Sequence, residues 1–175
     1  MHGAPHIVLV GPMGAGKSAI GQRLAVRMGL PFVDLDACVE ADAGQPIAAI
    51  FDRLGEGAFR ALETRALLQA LAAARSVIAT GGGAVLAPAN REAMQRDARV
   101  VYLQVSPSSQ LQRVAGDPAR PLLRGADPAQ RLAALQAQRE PLYRALADLA
   151  FDTSAYAPDG AAEALHAALQ HGVAA

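Results

Sequence analysis

The chain alternates between short unbroken apolar runs and longer stretches in which apolar positions recur every three or four residues. "HIVLV" (6–10), "SVIAT" (76–80) and "RVVYLQV" (99–105) are of the first kind. Runs without regular polar alternation are expected of strands buried on both faces. "LPFVDLD" (30–36) and "AFDTS" (150–154) are two further strand candidates, the first with carboxylates at its end. Stretches of the second kind predict helices. One follows a glycine-rich loop at 11–16 and runs to about Met28, stopped by Gly29. A helical region covers about 37–74 and is broken near "LGEG" (54–57); another helix spans 87–97, with Pro88 near its first turn. Ser106–Pro107 and Asp127–Pro128 each place a capping residue before a proline, the signature of a helix start. The helix from Asp127 runs to about Leu149, and a last one follows Pro158.

Strands that alternate with helices in this way predict an α/β fold: one domain over residues 1–175, a parallel sheet and helices on both faces. Ligands of such sheets sit beyond the carboxyl ends of the strands. The loop at 11–16, Asp34, Asp36 and Gly81–Gly83 all fall at those ends and converge on one rim.

Composition narrows the function classes. With 175 residues and 52% hydrophobic content, the chain is long enough for one real core. Its formal net charge is zero, which argues against a nucleic-acid-coating surface, and 4% aromatics with no Trp argue against a stacking platform for single strands. Cys38 is the only cysteine, so no internal disulfide is expected and a reducing compartment suits the chain. No stretch has the length of a membrane span and the first residues do not read as a signal peptide, so a cytoplasmic protein without membrane contact is expected. No coiled-coil seam is visible, and a monomer is expected. The four histidines lie near the termini, which argues against a histidine metal site or base.

Within that frame, "GPMGAGKSAI" (11–20) carries specific chemistry. Gly11, Gly16, Lys17 and Ser18 match G-x-x-x-x-G-K-[ST] between a strand and a helix. Glycines let backbone N–H groups turn inward around phosphate oxygens, and the following helix points its positive end at the same charge. Lys17 can reach the β- and γ-phosphates, and the Ser18 hydroxyl can ligate Mg²⁺. Lys17 is also the only lysine among 16 basic residues: either a compositional survivor or a position that needs a compact ammonium and not a guanidinium fork.

Asp34 and Asp36 are two apart, on one side of strand two if it is still extended there; otherwise Asp36 caps the next helix. As a pair beside a phosphate cradle, one can serve the Mg²⁺ water shell while the other faces a substrate hydroxyl. Three glycines at 81–83 exceed the needs of a tight turn and suit close approach of a polar small molecule. In "GEGAFRALE" (55–63), Glu56 and Glu63 flank Arg60 at i−4 and i+3, giving either a solvated ion-pair cluster or a brace for the Arg60 fork. Arg120 and Arg124 lie in a Gly/Pro-rich loop, which suggests a mobile lid over about 116–125 that closes on phosphates.

"GPMGAGKS", "FVDLD", "IFDRLGEGAFRALE", "TGGGAV", "RPLL" and "REPLY" occur in order along nearly the whole chain. In these stretches the sequence resembles the shikimate kinases. The resemblance implies a three-layer αβα fold with strand order 2-3-1-4-5, and transfer of the ATP γ-phosphoryl to the 3-hydroxyl of shikimate. It places the ATP phosphates on Gly14, Ala15, Gly16, Lys17, Ser18 and Ala19, and Mg²⁺ on Ser18 and Asp34. Asp36 would hold the shikimate hydroxyls and take the reacting proton. Arg60 and Arg139 would clamp the shikimate carboxylate, with the Gly82 backbone adding a hydrogen bond. Arg120 would be the lid arginine, Phe51 and Phe59 would wall the substrate pocket, and Arg113 and Pro158 would sandwich the adenine. "TSAYAP" (153–158) departs from the family here, lacking the polar and basic residues that many members show before the proline. Rival expectations are a gluconate kinase-like enzyme of the same fold and a non-catalytic ATP-binding switch.

Overall fold

The computed structural model describes residues 5–115 and 127–171. Five strands, β1 (His6–Val10), β2 (Phe32–Asp34), β3 (Val77–Ala79), β4 (Ala98–Gln104) and β5 (Leu149–Asp152), form one parallel sheet in the order β2-β3-β1-β4-β5. The central strand explains the unbroken apolar runs. In β1, Val8 and Val10 point into one core while Ile7 and Leu9 point into another, and all four are buried. Side chains alternate across a strand, so a strand covered on both faces must be apolar at every position.

Helices cover both faces. On one lie α1 (Lys17–Met28) and α7 (Pro158–His171), which supply Leu24 and Leu165 to the core around Leu9. On the other lie α2 (Leu35–Ala43), α3 (Ile47–Ala72), α4 (Pro88–Asp97) and α6 (Pro128–Leu146), which supply Leu35, Ile50, Leu67, Met94 and Tyr143 around Val8. The short α5 (Pro107–Val114) packs against α6. Both expected caps form: the Ser106 hydroxyl accepts from the Ser109 N–H, and the Asp127 carboxylate accepts from the Ala129 N–H. Among the described residues no helix is long and apolar enough to cross a membrane.

Three expectations need correction. The helical region after strand two contains a second break, at Gly44–Pro46, that separates α2 from α3; the expected break near 54–57 is also present, where Gly55 leaves the helical region at φ 82°. The helix from Pro128 ends at Leu146, two residues before β5. Strand two ends at Asp34, so Asp34 and Asp36 are not alternate residues of an extended strand. The physical reason is capping: the Asp34 carboxylate accepts from the Asp36 and Ala37 N–H groups and starts α2, leaving Asp36 in its first turn. The cap is Asp34, not Asp36.

Candidate active site

At the carboxyl ends of β1 and β3 a cavity of about 500 Å³ opens between the loop 11–16, Gly81–Gly82 and the start of α7. Gly16 holds its inner bend at φ 93°, a left-handed conformation that favours glycine, and is the N-cap of α1. No side chain caps α1. Its first backbone N–H groups and the positive end of its dipole are therefore left for an anion. The Lys17 ammonium folds back over the loop, donating to the carbonyls of Gly11 (2.7 Å) and Pro12 (2.9 Å). Gly14, Gly16, Lys17, Ser18 and Ala19 line the cavity, whereas Ala15 is fully buried beneath it.

Ser18 and Asp34 meet across the cavity's edge: the hydroxyl donates to Asp34 Oδ2 at 2.5 Å. A hydroxyl beside a carboxylate suits a hard divalent cation that keeps waters and takes its remaining oxygens from phosphates. No cluster of three or more His, Cys, Asp or Glu side chains with metal-binding geometry occurs among the described residues. The pair fits a divalent cation that brings most of its own oxygen ligands.

The other wall is assembled around the three glycines that follow β3. A β-carbon at Gly81 would stand 2.5 Å from Glu63 Oε1 and 3.2 Å from Asp36 Oδ1; one at Gly82 would stand 3.3 Å from an Arg139 nitrogen; one at Gly83 would run into the Arg60 guanidinium. Each missing side chain is replaced by a charged group from α2, α3 or α6. This is what the triplet is for: it lets four ionisable side chains close on one strip of bare backbone.

Those groups are under-satisfied. Asp36 Oδ1, Glu63 Oε1, Arg60 Nε and Arg139 Nε have no hydrogen-bond partner among the described residues and are all buried. Buried polar atoms are normally paired, so four orphans on one strip mark a place for a polar ligand. Burial pushes the Asp36 carboxyl above the ordinary aspartate range; the neighbouring Asp34 charge adds to this, and Lys17 opposes it. Burial also pushes Glu63 up, against the pull of Arg60, with Asp36 adding to the rise.

Arg60 is braced from both sides, by Glu63 at 2.8 Å and Glu56 at 3.1 Å, and lies over the Phe59 ring. Glu63 is fully buried, which excludes a purely solvated ion-pair cluster; only Glu56 is at the surface. Phe51 and Phe59 pack together with ring centroids 4.8 Å apart beside this arginine. Arg139 is buried on α6. Neither Arg60 nor Arg139 lines the 500 Å³ cavity; they lie against Gly83 and Gly82, and Arg139 also opens onto a separate cleft of about 200 Å³ with Glu56 and Leu86.

Sequence reasoning missed Tyr143. It lies one helical turn beyond Arg139, is fully buried, stacks on Tyr102 at 5.1 Å, and donates its hydroxyl proton to the Gly82 carbonyl. It is also hydrogen-bonded to Arg139, and burial raises its phenol well above the usual range. Tyr143 therefore fixes both the middle glycine and the arginine beside it. The i, i+4 spacing from Arg139 was the available signal. Gly82 makes its main-chain bond here through its carbonyl.

At the outer end, Arg113 and Pro158 line the cavity together with Tyr156. The Arg113 guanidinium is pinned by the Gly14 carbonyl and by the Thr153 hydroxyl and carbonyl, at 2.8–3.1 Å. Arg120, Arg124 and the expected lid at 116–125 lie outside the described residues.

A phosphate loop with an open helix start, joined to a pocket of opposed carboxylates and arginines, defines a phosphate-loop phosphotransferase for a small polar acceptor. Comparison with known proteins makes the family specific. The family model described as "Shikimate kinase" matches residues 13–170. The chain is 49% identical over 156 residues to the shikimate kinase of Stenotrophomonas maltophilia strain K279a, covering 89% of this chain and 87% of that one. It is 51% identical over 158 residues to the shikimate kinase of Xanthomonas euvesicatoria pv. vesicatoria, covering 90% and 88%. The shikimate kinase from Acinetobacter baumannii, solved in complex with shikimate, superposes with a TM-score of 0.95 at 38% identity over 99% of this chain and 97% of that one. The chain belongs to the shikimate kinase family. A gluconokinase from Sinorhizobium meliloti, at 22% identity and a TM-score of 0.58, shares the fold alone.

Proposed function

We infer that this protein is an ATP-dependent phosphotransferase that moves the γ-phosphoryl group of ATP to the 3-hydroxyl of shikimate, on the route to aromatic amino acids. The observation that carries the reading is the set of four charged side chains on Gly81–Gly83 beside the phosphate loop, each with one buried polar atom left without a hydrogen bond. Shikimate carries a carboxylate and several hydroxyls on one small ring. Arg60 and Arg139 take the carboxylate, for which charge-assisted forks are well suited. Asp36 Oδ1 takes the acceptor hydroxyl. The Gly14–Ala19 backbone and Lys17 hold the triphosphate, and Ser18 with Asp34 holds Mg²⁺, which when bound neutralises charge on the β- and γ-phosphates. Arg113 and Pro158 flank the adenine. Arg120, which lies outside the described residues, adds positive charge to the transferring group.

The acceptor oxygen forms its bond to Pγ as the bond from Pγ to the β-bridging oxygen breaks, ADP leaves, and the hydroxyl proton passes to Asp36. Phosphoryl transfer asks mainly for positioning and charge neutralisation. A raised Asp36 carboxyl makes a better proton acceptor than an ordinary aspartate, and the loose transition state demands little early deprotonation. The protein acts as a cytoplasmic monomer of one domain over residues 1–175, without nucleic acid or membrane. A coupled ADP-release assay with shikimate, gluconate and nucleoside monophosphates tests the reading. Shikimate should be the preferred acceptor by orders of magnitude; turnover of gluconate instead, or ADP release with none of them, sinks it.

A further inference from the structure

From Gly11 to Ala15, every main-chain carbonyl of the phosphate loop accepts a hydrogen bond from a side chain. Lys17 holds the first two, as described. The Gln110 side-chain amide donates to the Met13 carbonyl at 2.9 Å, and Arg113 donates to the Gly14 carbonyl at 3.1 Å. The Thr153 hydroxyl stands 2.9 Å from the Ala15 carbonyl and 3.0 Å from that of Gln104, so its one proton lies between them, while its oxygen accepts from Arg113. We propose that Gln110 and Thr153 are positioning residues for the phosphate donor: by holding the Met13 and Ala15 carbonyls outward they turn the Gly14 and Gly16 N–H groups onto the phosphate chain. The proposal rests on the reading of the cavity as a nucleoside triphosphate site.

A trans peptide unit is planar, and its C=O and N–H point to opposite sides. No peptide bond among the described residues is cis. The unit that joins Met13 to Gly14 therefore aims its N–H away from Gln110, and the unit that joins Ala15 to Gly16 aims its N–H away from Thr153. Gly14 and Gly16 line the cavity, whereas Gln110 and Thr153 do not. Neither of these two N–H groups donates to a backbone carbonyl among the described residues. The Ala15 N–H between them is used differently, closing a turn onto the Pro12 carbonyl at 3.2 Å. A concave run of N–H groups binds anions, and a carbonyl that swung inward would cancel it.

Both holders are themselves fixed. Gln110 is 6% exposed and Thr153 1%. Gln110 rides on α5, which packs so closely on the loop that a β-carbon at Gly14 would stand 3.0 Å from Val114 and 3.3 Å from the Gln110 carbonyl. Thr153 directly follows β5, and its own N–H donates to the Gln104 carbonyl of β4 at 2.9 Å. The loop is thus gripped by α5 on one side and by the edge of the sheet on the other. Donors already aimed at the place where charge will sit need no reorganisation when it arrives.

Calorimetric titration of the whole protein with ADP, pyrophosphate and shikimate, the first two with Mg²⁺, tests this without turnover. Thr153→Val keeps the shape and deletes the hydroxyl, and Gln110→Leu deletes the amide. Each should weaken ADP and pyrophosphate by the same factor, about five- to tenfold, the scale of one lost hydrogen bond, and leave shikimate unmoved. Thr153→Ser should recover wild-type affinity, because the hydroxyl and not the methyl holds the carbonyl. Unchanged pyrophosphate affinity in either variant overturns the assignment of that residue, and if one variant fails to fold the other still decides. A loss confined to ADP would place the effect at Arg113 and the base, and a parallel loss for shikimate would reduce both residues to general packing; either result overturns the proposal, as does a Thr153→Ser variant as weak as Thr153→Val. If wild type binds ADP and pyrophosphate but transfers nothing to shikimate, the proposed function falls, while these isotherms still decide on Gln110 and Thr153. Wild type that binds neither overturns both.

Discussion

The two halves of the site are built from opposite materials. The donor half is one continuous stretch, 11–19, in which main-chain N–H groups and a helix start do the work and a single side-chain charge, Lys17, is added. The acceptor half draws on α2, α3, α6 and the strip after β3, and there the main chain serves as bare ground for side-chain charges. Backbone N–H groups and a helix start of this kind suit an anion by charge and geometry and read nothing beyond it. In the acceptor half the buried carboxylates and arginines keep unpaired polar atoms: Asp36 Oδ1, Glu63 Oε1, Arg60 Nε and Arg139 Nε.

Four changes would break or sharpen this contrast. The largest effect belongs to the donor half's single charge. Lys17→Arg should fold with an unchanged melting temperature yet lose more than about a hundredfold in kcat, since a guanidinium fork cannot occupy the ammonium's place over the Gly11 and Pro12 carbonyls. Near-normal kcat would make the lone lysine a compositional accident.

Next comes the acceptor half. Arg139→Ala removes one charge-assisted clamp, worth about 1.5–3 kcal/mol, and should lower kcat/KM for shikimate by about 10- to 100-fold with little change in the KM for ATP. Wild type should discriminate strongly against shikimate methyl ester, and the variant much less. If Arg139→Ala rejects the ester as strongly as wild type does, the carboxylate is bound elsewhere.

A smaller loss is expected at Tyr143. Tyr143→Phe keeps the ring stacked on Tyr102 but deletes the hydroxyl's bonds to the Gly82 carbonyl and to Arg139. One such bond is worth about 1 kcal/mol, so the KM for shikimate should rise about fivefold while the KM for ATP stays put. A parallel rise in both would assign Tyr143 to packing alone.

The smallest effect is on stability and carries an opposite sign. A carboxyl whose folded pKa is raised binds more protons folded than unfolded between its ordinary and its raised value. Stability therefore falls as pH rises through that window, and the folded protein at neutral pH carries the penalty of the buried Asp36 charge. Asp36→Asn should raise the melting temperature of the ligand-free protein by about 2–4 °C at pH 7, and flatten its decline above the ordinary aspartate range. A lower melting temperature for Asp36→Asn at neutral pH would contradict the assigned burial penalty.

The same contrast governs what could be read from sequence. Gly11 to Ser18 announce themselves because their chemistry is local: spacing along the chain is spacing in space. The sheet's strand order came with the family resemblance and not from periodicity, since parallel neighbours are set by packing far along the chain. Asp34 and Asp36 were legible as a pair, but their geometry was not, because a helix cap ended the strand at Asp34, two residues short of Asp36. Glu63 looks like half of a surface ion pair in sequence and is fully buried in the fold, because the glycine strip that covers it lies 18 positions away. The break before α3 carried its own signal, a glycine followed two residues later by a proline, and was overlooked beside the louder "LGEG".

One carboxylate ties two parts of the molecule together. Asp34 gives Oδ1 to the first turn of α2 and Oδ2 to the Ser18 hydroxyl. The two oxygens thus do separate work: one starts the helix whose first turn carries Asp36, the other reaches the serine at the start of α1, so the cap on α2 does not depend on the bond to Ser18.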